Sequence, residues 1–223
     1  MVQIEQWFPI HIGYVYNPFH KEIEDELTQL CLEKKSSSEK VYEEFRKERR
    51  ESTSGSPTQA WFLYQINHPS YDYDLKEDQK FRRLHNWIDV QVKEVAESVS
   101  LSKEIYCAQG WFNSYEKYDY TEYHNHSPSI FSCVYFLNCE EETGAKLLIK
   151  NNNDSGGLAN ICKTPALTPV VSFMYHNPFP GKLVIFPSYL DHAVQQKNTD
   201  NLRMTLAYNY NLVSEKEKKI TIH

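Results

Sequence analysis

Residues 179–192 read Phe179-Pro180-Gly181-Lys182-Leu183-Val184-Ile185-Phe186-Pro187-Ser188-Tyr189-Leu190-Asp191-His192, and their order decides the fold class. A Pro-Gly turn launches the run Lys182–Phe186, which is apolar after its first residue. Pro187-Ser188 then breaks the run, and a new stretch starts at His192. Five residues are too few for a buried helix, and Val and Ile fit a pleated surface. The same pattern recurs on both sides. Strands are predicted at Ile105–Asn113, Phe131–Cys139, Lys146–Lys150, Val170–Tyr175, His192–Gln196 and Arg203–Leu212. Turn residues separate them at Glu142-Thr143-Gly144, Asp154-Ser155-Gly156-Gly157 and Asn198-Thr199-Asp200-Asn201. No helical stretch intervenes, so the strands should pair mainly antiparallel, as in a sandwich, barrel or jelly roll.

The chain before Ile105 reads differently. Ile23, Leu27, Leu30 and Cys31 recur at helical spacing within Glu22–Lys34, and Ser36-Ser37-Ser38 interrupts the pattern. Val41–Arg50 reads as a charged, solvated helix, and Glu51–Pro57 as a loop. A further helix is expected from about Glu77 to Val99, with Phe81, Leu84, Trp87, Ile88, Val92, Val95 and Val99 forming a face to pack on a sheet. The class is therefore α+β. One domain is expected over 1–223: a mainly helical part at 1–104, a β core at 105–213 and a charged tail at 214–223.

Composition narrows the function. With 40% hydrophobic and 24% charged residues the chain is an ordinary globular one. A formal net charge of -6 argues against a nucleic-acid partner, which calls for a basic stripe. No apolar run approaches the roughly 18 residues of a membrane span. Met1–Trp7 has neither the basic start nor the apolar middle of a secretory signal, so a cytoplasmic setting is expected. Cys31, Cys107, Cys133, Cys139 and Cys162 are odd in number and contain no CxxC pair, which suits buried thiols rather than a disulfide framework.

Three features in the β half carry chemistry. In His124-Asn125-His126 the two imidazoles share a face if the segment is extended, with Cα atoms roughly 6.5 Å apart. His192 follows an apolar strand and a short turn. Arg203 and Thr205 occupy one face of an otherwise apolar strand, where a buried guanidinium requires either an internal carboxylate or an anionic ligand. A guanidinium fork suits a carboxylate held through two nitrogens, and a threonine hydroxyl adds a further bond.

Taken in order, HxH, a distal His, an Arg ten residues on and a Thr two further resemble the 2-oxoglutarate- and iron(II)-dependent oxygenase superfamily. The likeness is closest to a bacterial and phage family of oxygenases whose members are mostly uncharacterised. It rests on Trp111-Phe112-Asn113, His124-Asn125-His126-Ser127, Ser132–Leu137, Gly181–His192, Arg203-Met204-Thr205 and Asn209, within residues 105–212. The resemblance implies a double-stranded β-helix, a jelly roll, that binds Fe(II), 2-oxoglutarate and O2. His124, His126 and His192 would be the metal ligands, and Arg203 with Thr205 would hold the distal carboxylate of 2-oxoglutarate. Asn113 and Tyr135 are placed at the cosubstrate by the same resemblance, a tyrosine of the Tyr115–Tyr123 stretch being the alternative to Tyr135. The implied reaction couples decarboxylation of 2-oxoglutarate to succinate with hydroxylation of a substrate.

The superfamily's usual metal triad is two histidines and a carboxylate; His126 stands where the carboxylate is expected. Three neutral imidazoles leave iron(II) at +2, which dianionic 2-oxoglutarate would neutralise. Glu122, two residues before His124, offers an alternative triad of Glu122, His124 and His192, whereas Asp191 should point away from His192. Two further functions stay open: a cupin-like three-histidine dioxygenase that does not use 2-oxoglutarate, and a non-catalytic β-helix binding module. A peptide, amino-acyl or small-molecule substrate is expected by analogy, with Tyr115, Tyr118, Tyr120 and Tyr123 as candidate cleft residues and Lys40–Ser56 as a candidate lid.

Overall fold

A computed structural model describes residues 10–37, 75–99, 104–141, 145–150 and 173–213. The predicted helix at Val41–Arg50, the loop at Glu51–Pro57, the candidate lid, Cys162, the turns at 142–144 and 154–157, and the tail at 214–223 lie outside these residues.

Among the described residues, nine strands form two antiparallel sheets. The larger has the order β1-β7-β4-β9-β2, from Gly13–Tyr16 (β1), Lys182–Pro187 (β7), Phe131–Asn138 (β4), Arg203–Leu212 (β9) and Ile105–Tyr115 (β2). The smaller has the order β3-β8-β5-β6, from Thr121–His124 (β3), His192–Val194 (β8), Leu147–Lys150 (β5) and Phe173–His176 (β6). Phe136, Val184 and Phe186 of the larger sheet pack with Leu147 and Ile149 of the smaller, closing one end of the space between them. This is the double-stranded β-helix that the resemblance implies, a jelly roll being one of the architectures the strand pattern allows.

Two helices cover the outer face of the larger sheet. The first, α1, runs His20–Ser37, longer than the predicted Glu22–Lys34 at both ends. Its start is set by Asn17, whose Oδ1 accepts the Phe19 N–H at 3.0 Å. Its end includes Ser36 and Ser37 because serine lowers helix propensity only by about half a kcal/mol, and Lys34 and Lys35 in the last turn suit the helix dipole. A 3-10 turn at Gln79–Phe81, capped by the Asp78 side chain on the Lys80 N–H, leads into α2 at Arg82–Ser98. Leu84, Ile88 and Val92 of the expected stripe, joined by Ala96, are buried against Phe112, Cys133, Leu206 and Tyr208, and Trp87, Val95 and Val99 are partly buried at its margin. Replacing Ile88, fully buried there, with alanine is expected to cost about 2–5 kcal/mol.

The larger sheet is thus buried on both faces, and parity decides which residues see the second sheet. On β9, Met204, Leu206, Tyr208 and Tyr210 face the helices, so Arg203, Thr205, Ala207 and Asn209 face inward. On β2 the same division needs a correction. Ile105 and Cys107 face the helices, but a β-bulge between Cys107 and Gln109 shifts the register, and beyond it Phe112 takes the helix side. The extra residue, Ala108, turns Trp111, Asn113 and Tyr115 inward. Gly110 then sits against the Tyr208 ring, where a Cβ would come within 2.7 Å.

Two strands were not anticipated. β1 belongs to the part read as mainly helical, yet it pairs with β7 from Gly13↔Ile185 to Tyr16↔Lys182. β3 pairs with β8 at Thr121↔Val194 and His124↔His192, with an irregularity between. The described cysteines, Cys31, Cys107, Cys133 and Cys139, carry free thiols, as expected.

Candidate functional site

The three histidines of the sequence pattern meet. His124 ends β3 and His192 begins β8, and the two are direct cross-strand partners. Their ring centroids lie 4.3 Å apart. His126 reaches the pair from the following loop, 4.9 Å from His124 and 5.0 Å from His192 between centroids. One candidate donor atom from each lies within 4.8 Å of the others. The strand argument for His124 and His126 does not hold, because the chain leaves β3 at His124. A hydrogen bond from the His126 N–H to the Ser188 carbonyl, 2.9 Å, aims the third ring instead.

Each strand histidine is oriented in the same way. His124 Nδ1 lies 2.8 Å from the Glu122 carbonyl and His192 Nδ1 lies 3.0 Å from the Leu190 carbonyl. A carbonyl oxygen only accepts, so each Nδ1 carries the hydrogen and each Nε2 presents a lone pair. Burial, joined by the neighbouring imidazoles, depresses the His192 pKa to about 3 and that of His126 to about 4. Burial also lowers His124, against the raising effects of the Glu122 carbonyl and Asp191. All three are neutral at pH 7, the form that binds a first-row transition metal. Trp111 packs on His126 at 5.3 Å and Phe186 on His192 at 4.8 Å, which limits rotation of both rings.

The acidic alternatives lie elsewhere. Glu122 is exposed and contributes its carbonyl, not its carboxylate, to the cluster. The irregularity in β3 between Thr121 and His124 removes the alternation that would have aligned Glu122 with His124. Asp191 accepts from Asn125 Nδ2 at 3.0 Å, outside the histidine group.

A cleft of roughly 400 Å³, part of it open to solvent, lies between the sheets and contains the three histidines. Its floor is the inward face of β2 and β9, where Tyr115 pairs with Arg203, Asn113 with Thr205, and Trp111 with Ala207. Behind Tyr115, Arg203 is 1% exposed. Its Nε donates to the Ala145 carbonyl at 3.1 Å, and its guanidinium stacks 4.2 Å from the Tyr115 ring centre. Nη1 and Nη2 are buried and, among the described residues, have no hydrogen-bond partner, the Tyr115 side chain being the polar group beside them. No described carboxylate forms an ion pair with it. Asn113 Nδ2 donates to Thr205 Oγ1 at 3.4 Å, leaving Asn113 Oδ1 buried and unpaired. Tyr115, whose hydroxyl lies 3.1 Å from Thr121 Oγ1, lines the cleft, while Arg203 lies behind its ring.

Tyr135 is the misplaced residue. It belongs to the helix-facing series of β4 with Cys133 and Leu137, and it is fully buried there. Asn17 Nδ2 donates to its hydroxyl at 3.0 Å, and His20 Nδ1 lies 2.8 Å from the same oxygen. It pins the start of α1 to the sheet and cannot reach a ligand in the cleft. Tyr115 is the tyrosine that lines the cleft; Tyr118 and Tyr123 are largely exposed. Sequence reading gave Trp111 no role, although its indole packs on a histidine; the visible signal was its i, i+2 relation to Asn113.

Residues 109–209 match the model of a family described as "Putative 2OG-Fe(II) oxygenase". No curated protein sequence matches this one. Among solved structures, the chain resembles AviO1 from Streptomyces viridochromogenes Tue57 at 13% identity and a TM-score of 0.50, covering 91% of this chain and 90% of that one. A prolyl-4-hydroxylase from Pseudomonas putida aligns at 16% identity and a TM-score of 0.45, over 64% of this chain and 71% of the other. A 2OG-Fe(II) oxygenase-family oxidoreductase from Burkholderia pseudomallei aligns at 14% identity and a TM-score of 0.45, over 59% of this chain and 56% of that protein's length. At these identities the structural likeness is one of fold.

Proposed function

We propose that this chain, which carries a 2OG-Fe(II) oxygenase domain over residues 109–209, is an iron(II)- and 2-oxoglutarate-dependent dioxygenase that hydroxylates a peptide, amino-acyl or small-molecule substrate. The observation that carries the reading is the buried Arg203 guanidinium, with no carboxylate partner among the described residues, behind the Tyr115 wall of a cleft that contains three neutral histidines. An unsatisfied cation in such a place requires an anion.

His124, His126 and His192 would hold the metal, each through the lone pair of a neutral imidazole. When bound, iron(II) and 2-oxoglutarate would supply the oxidising chemistry, one oxygen atom of O2 going to succinate as 2-oxoglutarate loses carbon dioxide and the other to the substrate as its new hydroxyl. The protein's own residues bind and orient. Arg203 takes the distal carboxylate through Nη1 and Nη2, assisted by Thr205 and by Asn113, whose amide is tied to the Thr205 hydroxyl. Access to Arg203 from the cleft runs past Tyr115. Trp111 and Phe186 hold the histidine rings and exclude water from their inner side. A cytoplasmic setting agrees with the free thiols of the described cysteines.

A cupin-like dioxygenase without 2-oxoglutarate would leave Arg203 with no anion to meet, and a binding module would not need three neutral imidazoles in contact. Anaerobic titration with iron(II) and then 2-oxoglutarate separates these readings. A weak visible charge-transfer band that is lost in Arg203→Ala supports the oxygenase. Iron binding without a band would favour the cupin-like reading, and no iron binding would remove the metal assignment itself.

A further inference from the structure

The inward face of β9 does not end at the histidines. Arg203, Thr205, Ala207 and Asn209 follow one another at alternate positions, about 7 Å per step. Ala207 pairs with Trp111, the residue that packs on His126. Asn209 in turn pairs with Ser132, and Ser132 with Phe186, which packs on His192, so Asn209 lies beside the histidines and Arg203 lies farther along the strand. Asn209 lines the cleft, is 4% exposed, and has no part in the cosubstrate pocket proposed above.

Its amide is oriented by a buried chain of hydroxyls. Ser132 Oγ lies 2.8 Å from Ser188 Oγ and 2.8 Å from Asn209 Oδ1. Ser188 is fully buried, and Ser132 is its hydroxyl's partner among the described residues. Ser188 must therefore donate to Ser132, and Ser132 must donate to Asn209 Oδ1. The reverse direction would strand the Ser188 hydrogen. Asn209 is thus held with its oxygen inward and its NH2 presented to the cleft, where no described group accepts from it. The same Ser188 receives the His126 N–H on its carbonyl, so one loop residue sets both the third imidazole and this donor.

We propose that Asn209 is a substrate-recognition residue that donates to a carbonyl oxygen of an uncharged group, as in a peptide amide, beside the histidines and away from Arg203. The proposal rests on the oxygenase reading and adds the chemical class of the primary substrate. A donor-only NH2 selects an acceptor. None of the described residues lining the cleft is Asp, Glu, Lys or Arg, so a charged group would lack a counter-ion there.

The test uses the anaerobic iron(II)–2-oxoglutarate complex, with N-methylacetamide as probe and acetate and methylammonium as charged counterparts. Paramagnetic broadening of the probe's methyl signals reports binding near the metal, and the visible band reports 2-oxoglutarate affinity. The wild-type complex should broaden the amide more than either ion. Asn209→Asp retains an oxygen for Ser132 but removes the donor, and should reduce the amide broadening at least fivefold while changing 2-oxoglutarate affinity less than twofold. Asn209→Ala should do the same, and Ser132→Ala should give an intermediate loss. Equal broadening in wild type and both Asn209 variants, or none in a wild-type protein that shows the band, would overturn the proposal. A fivefold or larger loss of 2-oxoglutarate affinity in both variants would reassign Asn209 to the cosubstrate. Absence of the band in the wild type would instead locate the failure in the oxygenase reading.

Discussion

The two sheets differ in how they are supported. In the larger, β2, β4 and β9 are 11, 8 and 10 residues long, and helices cover its outer face. In the smaller, β3, β5, β6 and β8 are four, four, four and three residues long, and β6 is largely exposed. The larger sheet carries Arg203, Thr205, Asn113 and Asn209. The smaller carries His124 and His192. Organic ligands are thus assigned to a rigid floor, while the metal is assigned to short strands that gain most from having their ends tied together. The expectation is a cleft formed before metal arrives and a smaller sheet that tightens when it does.

The largest effect should come from the histidines. His192→Ala or His126→Ala is expected to abolish iron(II) binding measured by anaerobic titration, whereas Glu122→Ala should leave it within about threefold. The reverse pattern for His126 and Glu122 would return the carboxylate triad.

Next comes Arg203. Arg203→Met should weaken 2-oxoglutarate binding by about 100-fold or more, in line with loss of roughly 3 kcal/mol of charge-assisted bonding. Iron(II) affinity should hold within about threefold. The ligand-free variant should unfold at an equal or higher temperature than wild type, because a buried, incompletely paired cation has been replaced by an apolar chain of similar length. A large fall in Tm would show that Arg203 has a structural partner instead.

Hydrogen exchange tests the contrast between sheets directly. Amides of β3 and β8 should exchange faster than those of β4 and β9 in the metal-free protein, and iron(II) should slow the first pair by about tenfold or more. Equal protection beforehand would remove the distinction. The smallest effect is assigned to Tyr135→Phe, which breaks the hydroxyl contacts with Asn17 and His20. It should cost about 1–2 kcal/mol in denaturant unfolding and leave 2-oxoglutarate affinity unchanged.

The sequence was legible where burial is uniform. β9 was predicted at its observed limits, Arg203–Leu212, because an apolar and aromatic run bounded by turn residues has one reading. It was less legible where the smaller sheet is thin. Thr121-Glu122-Tyr123-His124 has one buried residue in four, and Gly13-Tyr14-Val15-Tyr16 has none, so neither presents a strand pattern. The three clustered histidines could be picked out by residue type and order, but the cause of their convergence could not. Cross-strand pairing of His124 with His192 and the Ser188 carbonyl depend on residues more than 60 positions apart. Tyr135 failed for a simpler reason: the resemblance implied a cosubstrate contact, and strand parity placed the residue on the helix-facing side.

The bulge at Ala108 has the logic of a reading frame. Ala108 contributes no side chain to the cleft, yet every residue after it on β2 owes its address to it. Deleting it would leave the chemistry of the strand intact in composition and displaced by one phase. Phe112 and Ser114 would then be delivered to the ligands, and Trp111 and Asn113 to the helices. A related chain aligned across this point with its gap one position out would therefore seem to have lost its cleft residues while retaining all of them.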